Sequence, residues 1–258
     1  MTGARPFRTI GKMAEVKRTR INKYLSEVGV CSRRAADTWI KDGRVTVNGS
    51  VPEMGTKIGP EDVVRVDGRQ ISAPAESHAY IAFYKPVGIV CTTDTSVEPD
   101  NIIDYIGYPK RIFPVGRLDK PSEGLILLTS DGDIVNKVLR AKYGHEKEYI
   151  VTVDHPVTRE FVRGMGAGVP ILDTVTSPCE VEQLQRDVFR IVLTQGLNRQ
   201  IRRMCEHFEY RVVRLKRIRI MHITLDVVEG RWRDLTAPEL AQIHESVRVV
   251  DGADREGS

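Results

Sequence analysis

Of all segments in the chain, Gly116-Arg117-Leu118-Asp119-Lys120 restricts the possible folds most. An apolar approach (Ile112, Phe113, Val115) leads into it, and a second apolar run (Leu125, Ile126, Leu127, Leu128), opened by Gly124, leads out. Cations and a carboxylate between two strand-like segments are costly near a core, because a buried charge must be paired or shift its pKa. The stretch therefore occupies a loop tip or a site. Taken alone, it reads as a solvated turn. It has company in fixed order: Lys85-Pro86-Val87-Gly88 before it, then Lys147-Glu148-Tyr149 and Gln195-Gly196-Leu197-Asn198-Arg199-Gln200-Ile201-Arg202-Arg203 after it.

With 258 residues the chain suits two domains. A hydrophobic content of 41% and a charged content of 29% are those of an ordinary globular chain able to bury a core. No apolar run reaches the roughly 18 residues that a membrane span needs, and no apolar segment near the N-terminus is long enough for a signal peptide. A cytoplasmic protein with no membrane partner is expected. Cys31, Cys91, Cys179 and Cys205 are far apart, without C-x-x-C spacing, so they read as reduced structural thiols. The charge is uneven: residues 1–72 hold 14 Lys and Arg against 8 Asp and Glu, and the remainder 25 against 27. A basic, polyanion-binding module attached to a more neutral domain would give this distribution.

Residues 1–19 hold Gly3, Pro6 and Gly11 without sustained periodicity, and read equally as a basic arm or a plain disordered leader. From Ile21 the pattern becomes helical: Ile21, Leu25 and Val28 share a face, and Gly29 can end the helix. Ser32 offers an N-cap for a second helix carrying Ala35, Ala36, Trp39 and Ile40. Asn48-Gly49 and Asp67-Gly68 then mark hairpins among short Val-rich strands. Arg33 and Arg34 lie in the first turn of the second helix, where the macrodipole disfavours cations by about 0.3 to 1 kcal/mol. A bound phosphate would reverse that penalty; a tolerated solvent face is the alternative. Segments Leu25–Ala36 and Gly43–Gly49 resemble the S4 RNA-binding domain, which implies docking of residues 20–72 on structured RNA. Residues 73–79, small, polar and Pro-containing, read as a linker.

The second domain, residues 80–250, begins with strand Tyr80–Tyr84, and the Lys85–Gly88 turn is expected to return it through Ile89–Thr92 as a hairpin. A short helix near Ile102–Ile106 comes next, then strand Leu125–Thr129 and a helix facing inward through Ile134, Val135, Val138 and Leu139. Lys147–Val153 alternates like a half-buried strand, Thr158 caps a helix with Phe161 and Val162, and Phe189–Thr194 is another strand. Asn198 is expected to cap a helix whose Ile201, Cys205 and Phe208 face inward. Thr236 and Glu239 form a capping box for a last helix, and residues 251–258 read as an unstructured tail. Strands and helices in mixed order, without βαβ alternation, indicate an α+β fold with a mixed, mostly antiparallel sheet. No dinucleotide fingerprint, Walker loop or metal-ligand spacing occurs, so no cofactor or metal is expected.

The four motifs together resemble the pseudouridine synthases of the RsuA/RluB/RluE/RluF family, its RluF branch most closely, over about Arg20 to Leu240. The resemblance implies a catalytic domain of the pseudouridine synthase type that flips a uridine out of RNA, breaks its N-glycosidic bond and rejoins the base through C5. It places the catalytic Asp at Asp119, bracketed by Arg117 and Lys120, which favour the ionised carboxylate. Covalent attack by Asp119 and proton abstraction to a glycal both stay open. Tyr149, which alone would read as core, comes to lie against the flipped uracil, and Arg202 comes to pair with Asp119. Arg117 would fill the vacated stack, and Lys85 and Lys120 are candidate contacts to flanking phosphates. Leu118, Arg199, Gln200, Ile201 and Arg203 complete the RNA-facing set, with a solvated helix face as the alternative for the arginines. The expected partner is large-subunit ribosomal RNA, bound by a monomer. Small-subunit RNA, a transfer-RNA anticodon loop and a non-catalytic assembly factor are the rival readings; a glycosidase would want two paired carboxylates.

Overall fold

Apolar spacing builds the first unit. In this computed structural model, which describes residues 18–72, 78–94, 98–139 and 144–256, the chain divides into two compact units, residues 1–76 and 77–258. Most of the expected arm (1–17) and linker (73–77) lies outside the described residues. Strand β1 (Thr19–Arg20) leads into α1 (Ile21–Glu27), whose Ile21 and Leu25 are fully buried, and Gly29 takes the positive φ (82°) that lets the chain turn. The Ser32 hydroxyl accepts from Ala35 N at 3.1 Å and starts α2 (Arg33–Lys41), which buries Ala36 and Ile40. Strands β2 (Val45–Val47), β3 (Lys57–Ile58), β4 (Val64–Val66) and β5 (Arg69–Ile71) follow. β2, β4 and β5 form an antiparallel sheet in that order, β4 and β5 joined by Asp67-Gly68 in a tight two-residue turn.

The second unit is a sheet with helices on both faces. Its elements are β6 (Tyr80–Lys85), α3 (Ile102–Ile106), β7 (Phe113–Val115), β8 (Glu123–Thr129), α4 (Gly132–Leu139), β9 (Lys147–Val153) and α5 (Arg159–Ala167). Short strands β10 (Pro170–Ile171) and β11 (Thr174–Val175) precede β12 (Glu180–Gln185), β13 (Val188–Leu193), α6 (Gln200–His207) and β14 (Val212–Ile220). Then come β15 (Ile223–Thr224), β16 (Trp232–Asp234) and α7 (Ala237–Glu256). The main sheet runs β12-β13-β9-β14-β8-β6-β16, with β7 on β8 and β15 on β14. Among the described strands only β8 and β14 pair in parallel, through Lys216↔Glu123 and Arg217↔Gly124; the other strand pairings are antiparallel, as the α+β reading requires.

Alternation divides the core into two layers. Ile81, Phe83, Ile126, Leu128, Tyr149 and Val151 pack on one face beneath α3, α5 and α6. Ala82, Leu125, Leu127, Ile134, Val138 and Ile243 pack on the other with α4 and α7. β8 is buried along its whole length because both faces are covered, which explains its unbroken apolar run.

Three local expectations are corrected. Ile89–Thr92 forms no return strand; Val90 makes one bridge to Asn101, and β6 pairs with β8 and β16 instead. The cap of α6 is Arg199, in the left-handed region (φ 50°) and without a side-chain capping bond, because Asn198 is occupied by Arg203. The final helix does not stop at Asp251 but runs to Glu256.

Candidate active site

The close approach of β8 and β14 requires Gly124: at φ 108°, a Cβ there would stand 2.2 Å from Arg217 O and 2.6 Å from Arg217 N. The charged stretch just before β8 is therefore drawn against the middle of the sheet. Distant segments grip it. Gly88 N donates to Lys120 O at 2.9 Å, Leu118 N to Cys91 Sγ at 3.4 Å, and Ser122 N to Asp119 O at 3.0 Å. Lys85 Nζ donates to Ser122 O (2.7 Å) and Pro86 O (2.8 Å). From α6, Arg202 Nη2 donates to Pro121 O and Ser122 Oγ, both at 3.1 Å.

These contacts shape a cleft of about 870 Å³ in which Arg117, Leu118, Asp119, Tyr149, Arg199 and Arg202 meet. Asp119 is half-buried, and its carboxylate has no hydrogen bond or ion pair among the described residues. Tyr149 projects from β9 with its ring buried, and its hydroxyl has no protein partner among them either. A free carboxylate and a free phenol thus share one cavity lined otherwise by apolar side chains and cations. Among the described residues, no three His, Cys, Asp or Glu side chains converge as metal ligands.

Arg202 lies beside the loop rather than on the carboxylate. Its guanidinium is spent on the loop's carbonyl and hydroxyl, with Nε buried and unpartnered, so the expected ion pair to Asp119 is not formed. Burial lowers its pKa, the charge of Arg199 adds to this, and the field of Asp119 opposes it. Lys85 is corrected more sharply: it is fully buried, out of reach of a flanking phosphate, and braces the loop from below. Burial lowers its pKa too, with Cys91, Asp119 and Glu123 pulling the other way.

Leu118 and Ile201 line the cleft but are packed into the core, and the Gln200 carboxamide accepts from Leu197 N at 3.0 Å to close its own turn. They shape the cleft instead of presenting polar groups to RNA. Arg117 and Arg199 are exposed at the cleft. Lys120 pairs with Glu98 (3.2 Å) and Asp100 (3.7 Å) outside it. In the first unit, Arg33 and Arg34 are exposed in the opening turn of α2. Of the charged residues of the cleft, the sequence reading missed two as site residues, Lys147 and Arg217. Lys147 was visible as the residue two before Tyr149, hence on the same strand face; Arg217 emerges only from the pairing of β14 with β9.

Comparison with known proteins agrees with this geometry. The family model described as RNA pseudouridylate synthase matches residues 79–207, and that of the S4 domain matches residues 19–64. The chain is 57% identical over 226 residues to the dual-specificity RNA pseudouridine synthase RluF of Escherichia coli (strain K12), covering 87% of this chain and 78% of that one. It is 33% identical over 233 residues to the ribosomal large subunit pseudouridine synthase B of Bacillus subtilis (strain 168), covering 87% and 95%. A crystal structure of a pseudouridylate synthase superposes with a TM-score of 0.63 at 28% identity, over 88% of this chain and 99% of that one. An S4 domain followed by a cleft that unites the four motifs, and this degree of identity, show that the chain belongs to the RNA pseudouridylate synthase family.

Proposed function

We propose that the protein isomerises a specific uridine of large-subunit ribosomal RNA to pseudouridine, with Asp119 as the group that reacts with the nucleotide. The observation that carries this is the unpaired Asp119 carboxylate in a cleft shared with Tyr149. The target base leaves its stack, at a cost of a few kcal/mol, and enters the cleft. Arg117, exposed at its rim and without a partner among the described residues, takes up the vacated space. Asp119 then reacts as a carboxylate, by attack or by proton abstraction. The C1′–N1 bond breaks, the base turns, C5 joins C1′, Tyr149 or a water near it receives the C5 proton, and N1 takes up a proton from solvent. Arg202 is a positioning residue: it holds the Pro121–Ser122 segment that sets the place of Asp119.

The large-subunit target draws on the printed name of the Bacillus relative. The Escherichia coli relative is named a dual-specificity enzyme, which favours a second RNA, and a transfer-RNA anticodon loop is the one to offer. Among the described residues no helix is long and apolar enough to cross a membrane. A monomer working in the cytoplasm is the reading that a ribosomal RNA substrate favours. The test is tritium release from ribosomal RNA labelled at C5 of uridine. Wild type releases label, and Asp119→Asn lowers the rate by about 10⁴-fold or more while still binding RNA. Binding by both proteins without release from any RNA offered would favour an assembly factor.

A further inference from the structure

Five cations, Arg117, Lys147, Arg199, Arg202 and Arg217, line the cleft against one carboxylate, Asp119. Their positions differ. Arg117 and Arg199 are exposed, Arg117 at the rim where it takes up the vacated stack and Arg199 where the phosphates of a bound strand would pass, and Arg202 is committed to the Asp119 loop. Lys147 and Arg217 lie deeper. Arg217 is directly opposite Tyr149 across the β9–β14 ladder, and Lys147 is two residues before Tyr149 on its own strand, so both flank the phenol on the cleft face.

Neither is fully satisfied by protein among the described residues. Arg217 is 3% exposed; its Nε donates to Leu125 O at 2.6 Å, and its Nη2 is buried without a partner. Lys147 donates to His145 O at 3.1 Å and to Thr194 O at the long distance of 3.5 Å, which leaves a third N–H unused. No acidic side chain pairs with either one among the described residues. Burying two cations side by side without an anion is unfavourable. Their charges accordingly act on each other: burial first, and Arg217 second, lower the Lys147 pKa. Such an arrangement is complementary to an anion that arrives with the substrate. At this depth, beside Tyr149, the arriving group is the flipped base rather than the phosphate.

We propose that Lys147, backed by Arg217, holds a carbonyl oxygen of the flipped uracil and stabilises the negative charge the base carries between cleavage and re-joining. The inference rests on the assignment of this cleft to uridine isomerisation. When the C1′–N1 bond breaks, its electron pair stays with the base and spreads from N1 onto O2 and O4. The free N–H of Lys147 donates to one of those oxygens, and the Arg217 guanidinium adds its field behind it. When C5 attacks C1′ the charge returns to the new bond; the C5 proton then departs as N1 takes one up from solvent, so no net proton is consumed and the lysine gives up none. Fixed donors of this kind, aimed where charge develops in a site closed to water, need no reorganisation during the reaction.

The experiment is single-turnover conversion at saturating RNA by wild type, Lys147→Met and Lys147→Arg, on RNA carrying uridine or 5-fluorouridine at the target. Fluorine stabilises the departing anion by itself and so lessens the need for the lysine. Lys147→Met is expected to slow consumption of the target uridine about 100-fold with RNA affinity unchanged. Lys147→Arg should keep most of the rate, and the deficit of both variants should shrink on 5-fluorouridine. An equal deficit on the two nucleosides would overturn the proposal in favour of a packing role. Weaker RNA binding with an unaltered rate would overturn it in favour of a phosphate contact. Should Lys147→Met fail to fold, as a melting curve would reveal, Lys147→Gln, which loses the charge but keeps a polar end, makes the same comparison on the two RNAs. Wild type inactive on every RNA would overturn the underlying assignment as well.

Discussion

At Gly124 the backbone alone dictates the residue. Its φ of 108° and the 2.2 Å that would separate a Cβ from Arg217 O leave no room for any side chain, and the obstacle is backbone, which cannot rotate away. Gly124→Ala is therefore expected to destabilise the protein by about 3 kcal/mol or more, read from the urea midpoint. It should also loosen the Asp119 loop that β8 anchors, so activity is expected to fall further than stability does. A midpoint within error of wild type would show that the β8–β14 junction is more pliable than drawn. Single residues were unequally legible in the sequence. Asp119, Tyr149 and Arg202 could be singled out because each belongs to a motif in fixed order, and the fold brings the three to one cleft. Lys85 was misplaced for a physical reason: its partners are the backbone carbonyls of Pro86 and Ser122, which leave no trace in a side-chain pattern. Leu118 and Ile201 show the converse, motif residues that serve the core.

Among the elements, α7 is fastened by charge. Arg233 on β16 donates to both Glu239 oxygens, at 2.7 and 2.8 Å, and to Asp226, while Glu239 also accepts from Thr236 N at 2.7 Å. The Arg233 hydrogen bonds lead the effects that lower the Glu239 pKa from 4.5 to about 2, against the opposing effect of burial. A depressed carboxylate stabilises the fold above its unfolded pKa and loses that contribution as pH falls through the folded one. The contribution is thus whole above about pH 5 and fades toward pH 2. Glu239→Gln should lower stability at pH 7 by about 2 kcal/mol, with wild type and variant converging as pH drops from 5 to 2. Parallel pH–stability curves would show that the carboxylate is not the source. The capping box that ties Glu239 to Thr236 was readable from two residues three apart, because capping is local. The missing hairpin after Lys85 was not, because strand pairing is decided by partners far along the chain: β6 finds β8 and β16. The α6 cap moved by one residue because Asn198 is engaged by Arg203.

Over the whole molecule, charge is divided between the two units. The first carries the basic surplus and, in Arg33 and Arg34, two exposed cations at the start of a helix capped by Ser32. If both contact phosphates of the RNA, replacing them with Ala weakens binding and lowers the slope of log K against log salt by about 1 to 2. An unchanged slope in a filter-binding titration would place them outside the RNA footprint. The two-domain order and the α+β class were legible because composition and motif order survive in one dimension. The sheet order was not, since it depends on β14, which reaches back to lie between β9 and β8. That placement bears on timing. Asp119 precedes β8 and Tyr149 lies on β9, so the two belong to strand sets that only β14 joins. During synthesis the S4 unit is complete long before Val212–Ile220 leaves the ribosome. The nascent chain can thus grasp RNA well before it can alter it, and the power to modify a base arrives with the insertion of a single strand.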